Sequence, residues 1–93
     1  MTHYESVVII DPSVHEEKVK ELSQKFTDLI NKDGKVEKVE ELGKKRLAYE
    51  VKKNKEGYYV VLNFEANPTL IAELERNYRI IDEVIKFITV KAE

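Results

Sequence analysis

The sequence predicts an α+β domain in which two helices cover one face of a four-stranded antiparallel sheet. Three observations predict it. Apolar residues alternate with polar ones at a step of two in four stretches, the signature of strands. Two other stretches repeat their apolar residues at steps of three and four, the signature of helices. Turn and cap residues punctuate the chain between them, so the elements follow as β-α-β-β-α-β.

The first strand spans Tyr4 to Ile10. Its β-branched run Val7-Val8-Ile9-Ile10 is nearly continuous, which suits a central strand covered on part of both faces. Asp11-Pro12-Ser13 ends it. Ser13 with Glu16 three residues on fits a capping box, and Pro12 fits a sharp entry into a helix. The helix runs to about Lys32. Val19, Leu22, Phe26, Leu29 and Ile30 form its apolar stripe, while Glu16, Glu17, Lys20, Glu21 and Lys25 face water. Gly34 is expected to close it as a left-handed cap.

The stretch from Val36 to Phe64 organises the rest. Alternation through Val36 and Val39 slips near Leu42 and resumes at Leu47, Tyr49 and Val51, with Gly43 at the slip. A glycine inside a strand pattern predicts a bulge or bend. Lys52 to Gly57 reads as a polar turn, and Tyr58 to Phe64 as the returning strand of a hairpin. On that strand Tyr58, Val60, Leu62 and Phe64 are expected to face the helices, and Tyr59, Val61, Asn63 and Glu65 the other side. Asn67 then caps a second helix with Pro68 in its first turn, and Leu70, Ile71, Leu74 and Tyr78 form its stripe. Arg79 to Asp82 is read as a connector, and Val84 to Val90 as the last strand. Right-handed crossovers turn this order into the ferredoxin-like arrangement. Leu22, Phe26, Leu29, Leu74 and Tyr78 are expected to pack on Val8, Val60, Leu62 and Phe87. The far face of the sheet keeps apolar residues such as Val61, Ile88 and Val90, a plausible docking surface.

With 93 residues and 42% hydrophobic content, the chain reads as one domain over residues 1–93 with one modest core. Charged residues make up 37%, against roughly 25% in an ordinary globular domain, yet the net charge is only −2. Nucleic-acid binding therefore has to come from local clusters of cations. Absence of cysteine excludes disulfides, thiolate nucleophiles and cysteine metal sites. No run is long enough to span a bilayer and no signal peptide is evident, so cytoplasmic residence without a membrane partner is the expectation.

No constellation in the sequence points to catalysis. His3 and His15, the two histidines, have no ligand-type motif near them. Ser6, Ser13 and Ser23 lack a nucleophile elbow, and Gly34, Gly43 and Gly57 are too far apart for a phosphate loop. Neither an enzymatic activity, nor a cofactor, nor a small-molecule substrate is expected. Acylphosphatases share the topology, but Asp11-Pro12-Ser13-Val14 lacks their glycine and arginine. RNA-recognition domains share it too, but Val60 and Asn63 occupy positions where their stacking aromatics belong. The hairpin is more informative. Lys44-Lys45-Arg46 are consecutive, and Lys52, Lys53 and Lys55 lie around the turn. Such charges either keep an edge strand from pairing with another chain or contact phosphates.

The run from Val36 to Tyr49, with Gly43, Lys45-Arg46 and Leu47-Ala48-Tyr49, closely resembles the signature of the bacterial small-subunit ribosomal protein S-six family. Gly57-Tyr58-Tyr59, Tyr4-Glu5, the Asp11-Pro12 turn and Leu74 to Val90 with Arg79-Ile80 fit as well, so the resemblance covers nearly the whole chain. It implies a structural protein of the small ribosomal subunit. Such a protein binds the central domain of small-subunit ribosomal RNA as a heterodimer with ribosomal protein S-eighteen. Lys44, Lys45, Arg46, Lys52, Lys53, Lys55 and Arg79 are then candidates for RNA or partner contact. Glu40, Glu41, Tyr59 and Val61 are candidates for the partner protein. Family members commonly extend past the last strand, whereas this sequence stops at Glu93. The rival reading is a ferredoxin-like small-molecule-sensing or dimerisation module, which needs a pocket with convergent polar groups.

Overall fold

The elements are β1 (Thr2–Ile10), α1 (Glu16–Asp33), β2 (Lys35–Val51), β3 (Asn54–Ala66), α2 (Pro68–Ile80) and β4 (Val84–Lys91). They come from a computed structural model that describes residues 1–92. The sheet has the order β2-β3-β1-β4, and every neighbouring pair is antiparallel. This is the expected ferredoxin-like arrangement. The core lies between the sheet and the helices: Val19, Leu22, Phe26 and Ile30 of α1 and Leu70, Leu74 and Tyr78 of α2 pack on Val8, Ile10, Val60, Leu62, Phe64 and Val84. Leu29 and Phe87 border this core, partly buried. Tyr78 meets Phe26 edge-on at 4.7 Å between ring centroids, a favoured aromatic geometry.

The helix ends differ from expectation. His15, not Ser13, is the N-cap of α1, and no side chain caps it. Ser13 instead donates its backbone N–H (2.8 Å) and its hydroxyl (2.6 Å) to the Asp11 carboxylate, because that short acid competes for nearby donors before the helix begins. Asn67 likewise makes no side-chain cap; Pro68 starts α2 with its fixed φ. Helix α2 continues to Ile80, so Arg79 lies in its last turn and not in a connector. Gly34 is extended, at φ −151°. A Cβ there would lie 2.3 Å from the Glu65 carbonyl oxygen, so glycine serves close backbone approach, not a left-handed cap.

The turn of the hairpin is also displaced. Val51 pairs with Asn54, and Lys52 and Lys53 form the two-residue turn with φ of +48° and +66°. Such turns favour asparagine and glycine, so a Lys-Lys turn has little sequence signal. Gly57 lies within β3 opposite Lys45, and a Cβ on it would meet Ile9 Cγ2 at 2.4 Å.

Candidate docking face and basic hairpin

Strand β2 is 17 residues long and outruns the rest of the sheet. The β1–β3 ladder ends at Ile10↔Tyr58, while the β2–β3 ladder continues to Val51↔Asn54. The hairpin therefore projects beyond β1. Its ladder is irregular at Val36/Lys38, Glu41/Gly43 and Arg46/Val51. Gly43, at φ +81°, occupies the second irregularity, as the alternation slip predicts. Extra residues in one strand bend it and increase its twist.

Leu47 follows from that bend. It is buried against Ile9 and Ile85, with Val51 and Tyr59 packed on the three. This second apolar cluster lies on the face of the sheet away from the helices. Sequence reasoning left that face uncovered; the hairpin covers one end of it. The signal was there in Leu47, Tyr49 and Val51, which share parity, but only the bend decides what they touch. A groove of about 360 Å³ remains, lined mainly by Val7, Ile9, Leu47, Tyr59, Ile88 and Val90. Ile88 and Val90 are about half exposed. At its rim the Lys86 ammonium donates to the Tyr49 hydroxyl and lies 4.7 Å from that ring's centroid, a cation–π contact.

The candidate partner residues divide between faces. Val61 pairs with Glu40 on β2 and with Val7 on β1, and Val7 pairs with Ile88. Glu40, Val61, Val7 and Ile88 thus form one row across the far face, with Tyr59 in the next. Glu40 is ion-paired with Lys38 at 3.5 Å. Glu41 pairs with Val60 and faces the helix side, beside Glu16, Val19 and Lys20. No single flat surface meets both acids.

The cations divide similarly. Lys44 pairs with Tyr58 on the helix side, its ammonium 5.3 Å from the Tyr58 ring centroid. Lys45 is opposite Gly57 and points to the far side; Arg46 is opposite Glu56 and points back. Arg46, Lys55 and Glu56 line a shallow depression, and Lys52 and Lys53 tip the hairpin. All six basic residues are exposed. Arg79 stands apart, on α2, with its guanidinium 5.8 Å from the Phe87 ring centroid of β4, at the sheet edge opposite β2.

His3 departs from expectation. Its Nδ1 lies 2.9 Å from Glu37 Oε1 and its Nε2 3.9 Å from Glu65 Oε1. Residues remote in sequence meet because β1, β3 and β2 lie side by side. His15 remains exposed beside Glu16 and Glu17. Between the helices, Glu21, Lys25, Asp28, Lys32, Glu73 and Arg76 line an open depression; mixed charges there read as a solvated face. None of the described helices is long and apolar enough to cross a membrane.

Residues 3–91 match the model of the family described as Ribosomal protein S6. Over 94 residues the chain is 47% identical to the small ribosomal subunit protein bS6 of Clostridium novyi, covering 100% of this chain and 99% of that one. It is 46% identical to the protein of the same name from Helicobacter hepaticus, where it covers 100% of this chain but 69% of the relative. In the Helicobacter pylori (strain Shi470) protein of that name it spans 66% of the relative's length. The crystal structure of 30S ribosomal protein S6 from Thermotoga maritima superposes with a TM-score of 0.93 at 38% identity, covering 98% of this chain and 87% of that one.

Proposed function

The chain belongs to the ribosomal protein S6 family, and from that premise we propose that it binds the central domain of small-subunit ribosomal RNA as a heterodimer with ribosomal protein S-eighteen. The family is one of structural ribosomal proteins, not enzymes, and its place is the small subunit of the cytoplasmic ribosome.

One observation carries the finer reading: the projecting hairpin carries exposed cations on both sides and an apolar residue that closes over the far face. Exposed Lys44, Lys45, Arg46, Lys52, Lys53 and Lys55 lie along it, and Leu47 borders the apolar groove on the far face. Cations on a projecting strand reach phosphates, Arg46 in a bidentate grip and Lys45 as a point charge. An apolar groove suits a protein segment, with Tyr59, Val61 and Glu40 to meet it. A net charge of −2 gives the chain alone weak attraction for RNA, and a basic partner supplies the missing field. Glu41 lies on the helix side beside Tyr58, away from the groove, and Arg79 stands at the sheet edge opposite β2.

The test is the salt dependence of RNA binding by the preformed heterodimer. Each phosphate contact contributes about 0.7–0.9 to the slope of log affinity against log salt. Lys45→Ala with Arg46→Ala is expected to lower that slope by about one and to leave folding within roughly 0.5 kcal/mol. An unchanged slope with a weaker heterodimer assigns both residues to the partner. No change in either leaves them as charges that keep the strand from pairing with other chains. Equal RNA affinity with and without the partner overturns cooperative binding.

A further inference from the structure

The open end of the far face, away from the hairpin tip, brings together one imidazole and two carboxylates. Glu65 of β3 pairs with His3 of β1 on one side and with Lys35 of β2 on the other. Glu37 joins them through the first irregularity of β2. Val36 is opposite Phe64 and Lys38 opposite Asn63, so Glu37 is the extra residue. In a regular ladder a residue following Val36 faces one way and the next the other; the bulge turns Glu37 and Lys38 to the same side. That is what brings the Glu37 carboxylate to the His3 ring.

We propose that His3, Glu37 and Glu65 form a binding site for a divalent transition-metal ion, with Zn²⁺ as the ion whose preferences they fit best. One imidazole and two carboxylates are a nitrogen–oxygen donor set that zinc accepts, and the carboxylates balance the charge of a dication. One ligand atom from each residue can be chosen so that all three lie within 4.8 Å of one another. Bonds of about 2.0–2.2 Å at tetrahedral angles put ligand atoms about 3.4 Å apart. Glu37 approaches Nδ1 of the ring at 2.9 Å and Glu65 approaches Nε2 at 3.9 Å; an ion takes one of these nitrogens, so the other carboxylate closes on it by a side-chain rotation, from a starting separation of at most 4.8 Å. Binding at the ring nitrogen facing Glu37 releases the proton of that hydrogen bond to bulk water, and water fills the remaining position. The backbone beneath is fixed: three paired strands carry the ligands, and the Ala92 N–H donates to the His3 carbonyl at 2.8 Å. The ligands are partly exposed, with the His3 side chain half accessible, so water and ion reach them freely. A bound ion ties β1 to β2 across β3.

Titrating the metal-free full chain with Zn²⁺ in a non-chelating buffer tests this, followed by calorimetry and by the histidine ring resonances in NMR. One ion per chain is expected, with the His3 ring signals shifting and those of His15 staying in place. His3→Ala is expected to abolish saturable binding, and Glu65→Gln or Glu37→Gln to weaken it by about tenfold or more. His15→Ala is expected to bind as the parent does. No saturable binding overturns the proposal, as does binding that persists in His3→Ala or that shifts only the His15 signals. The resonance measurement uses the unmodified chain, so a folding defect in a variant leaves the test intact.

Discussion

The Ser6 hydroxyl lies 2.8 Å from the Tyr78 hydroxyl inside the core, joining the central strand β1 to α2. Ser6 also pairs with Thr89 Oγ1 of β4 at 3.0 Å, so three elements share one small polar network. A buried serine on a strand face shared with Tyr4, Val8 and Ile10 costs free energy unless it is paired, and here it is paired twice. Burial pushes the Tyr78 hydroxyl's pKa well up, and the Ser6 bond opposes this in part; the group stays neutral at any ordinary pH.

Tyr78→Phe removes one bond and leaves Ser6 the Thr89 partner. The loss expected is about 0.5–1.5 kcal/mol, the net worth of one neutral hydrogen bond. Ser6→Val leaves both the Tyr78 and the Thr89 hydroxyls without this partner and is expected to cost more. Urea denaturation of the two variants checks the order; equal losses overturn the network.

Phe26 is fully buried and packs edge-on against Tyr78. Phe26→Ala empties that space and is expected to cost about 3–5 kcal/mol. A denaturation midpoint equal to the parent's overturns its place at the centre of the core.

Gly34 and Gly43 are required for different reasons. Gly34→Ala drives a Cβ into the Glu65 carbonyl, a backbone collision that moving β3 relieves at a cost of about 1–3 kcal/mol. Gly43→Ala meets no atom within 4 Å but must hold φ near +81°, which costs about 1–2 kcal/mol. Gly43→Asn, tolerant of left-handed backbone, is expected to recover most of that loss, while Gly34→Asn recovers nothing. Thermal unfolding of the four variants separates crowding from backbone strain.

Asp11 accepts two bonds from Ser13, side chain first in effect and then backbone, and these hold its carboxyl below the ordinary value of 3.8. A carboxylate depressed in the folded state adds stability above its unfolded pKa and loses it as pH falls through the folded one. The parent is therefore expected to lose more stability between neutral pH and about pH 2 than Asp11→Asn, which keeps an acceptor without the charge. Other acids are common to both proteins and cancel in the difference. Parallel acid profiles for the two overturn the assignment.

The alternation of Tyr58 to Glu65 and the stripes through Phe26 and Leu74 determined the layers by themselves, because a residue's face follows from its position in a local period. The bulge at Gly43 was legible too, since the slip of the alternation and the one residue suited to positive φ coincide. The Lys52-Lys53 turn was not, because the stability of the long hairpin overrides poor turn residues there. Nor were the caps: Ser13 has the right chemistry, but Asp11 lies closer to its donors. The six hairpin cations were visible as a run, yet which side of the strand each takes depends on the ladder register. Tertiary structure alone decided that Leu47 closes over Ile9 and that Glu37 reaches His3. Both contacts join strands far apart in the chain, and both depend on extra residues in β2 whose direction of bend is set by the strands paired beside it.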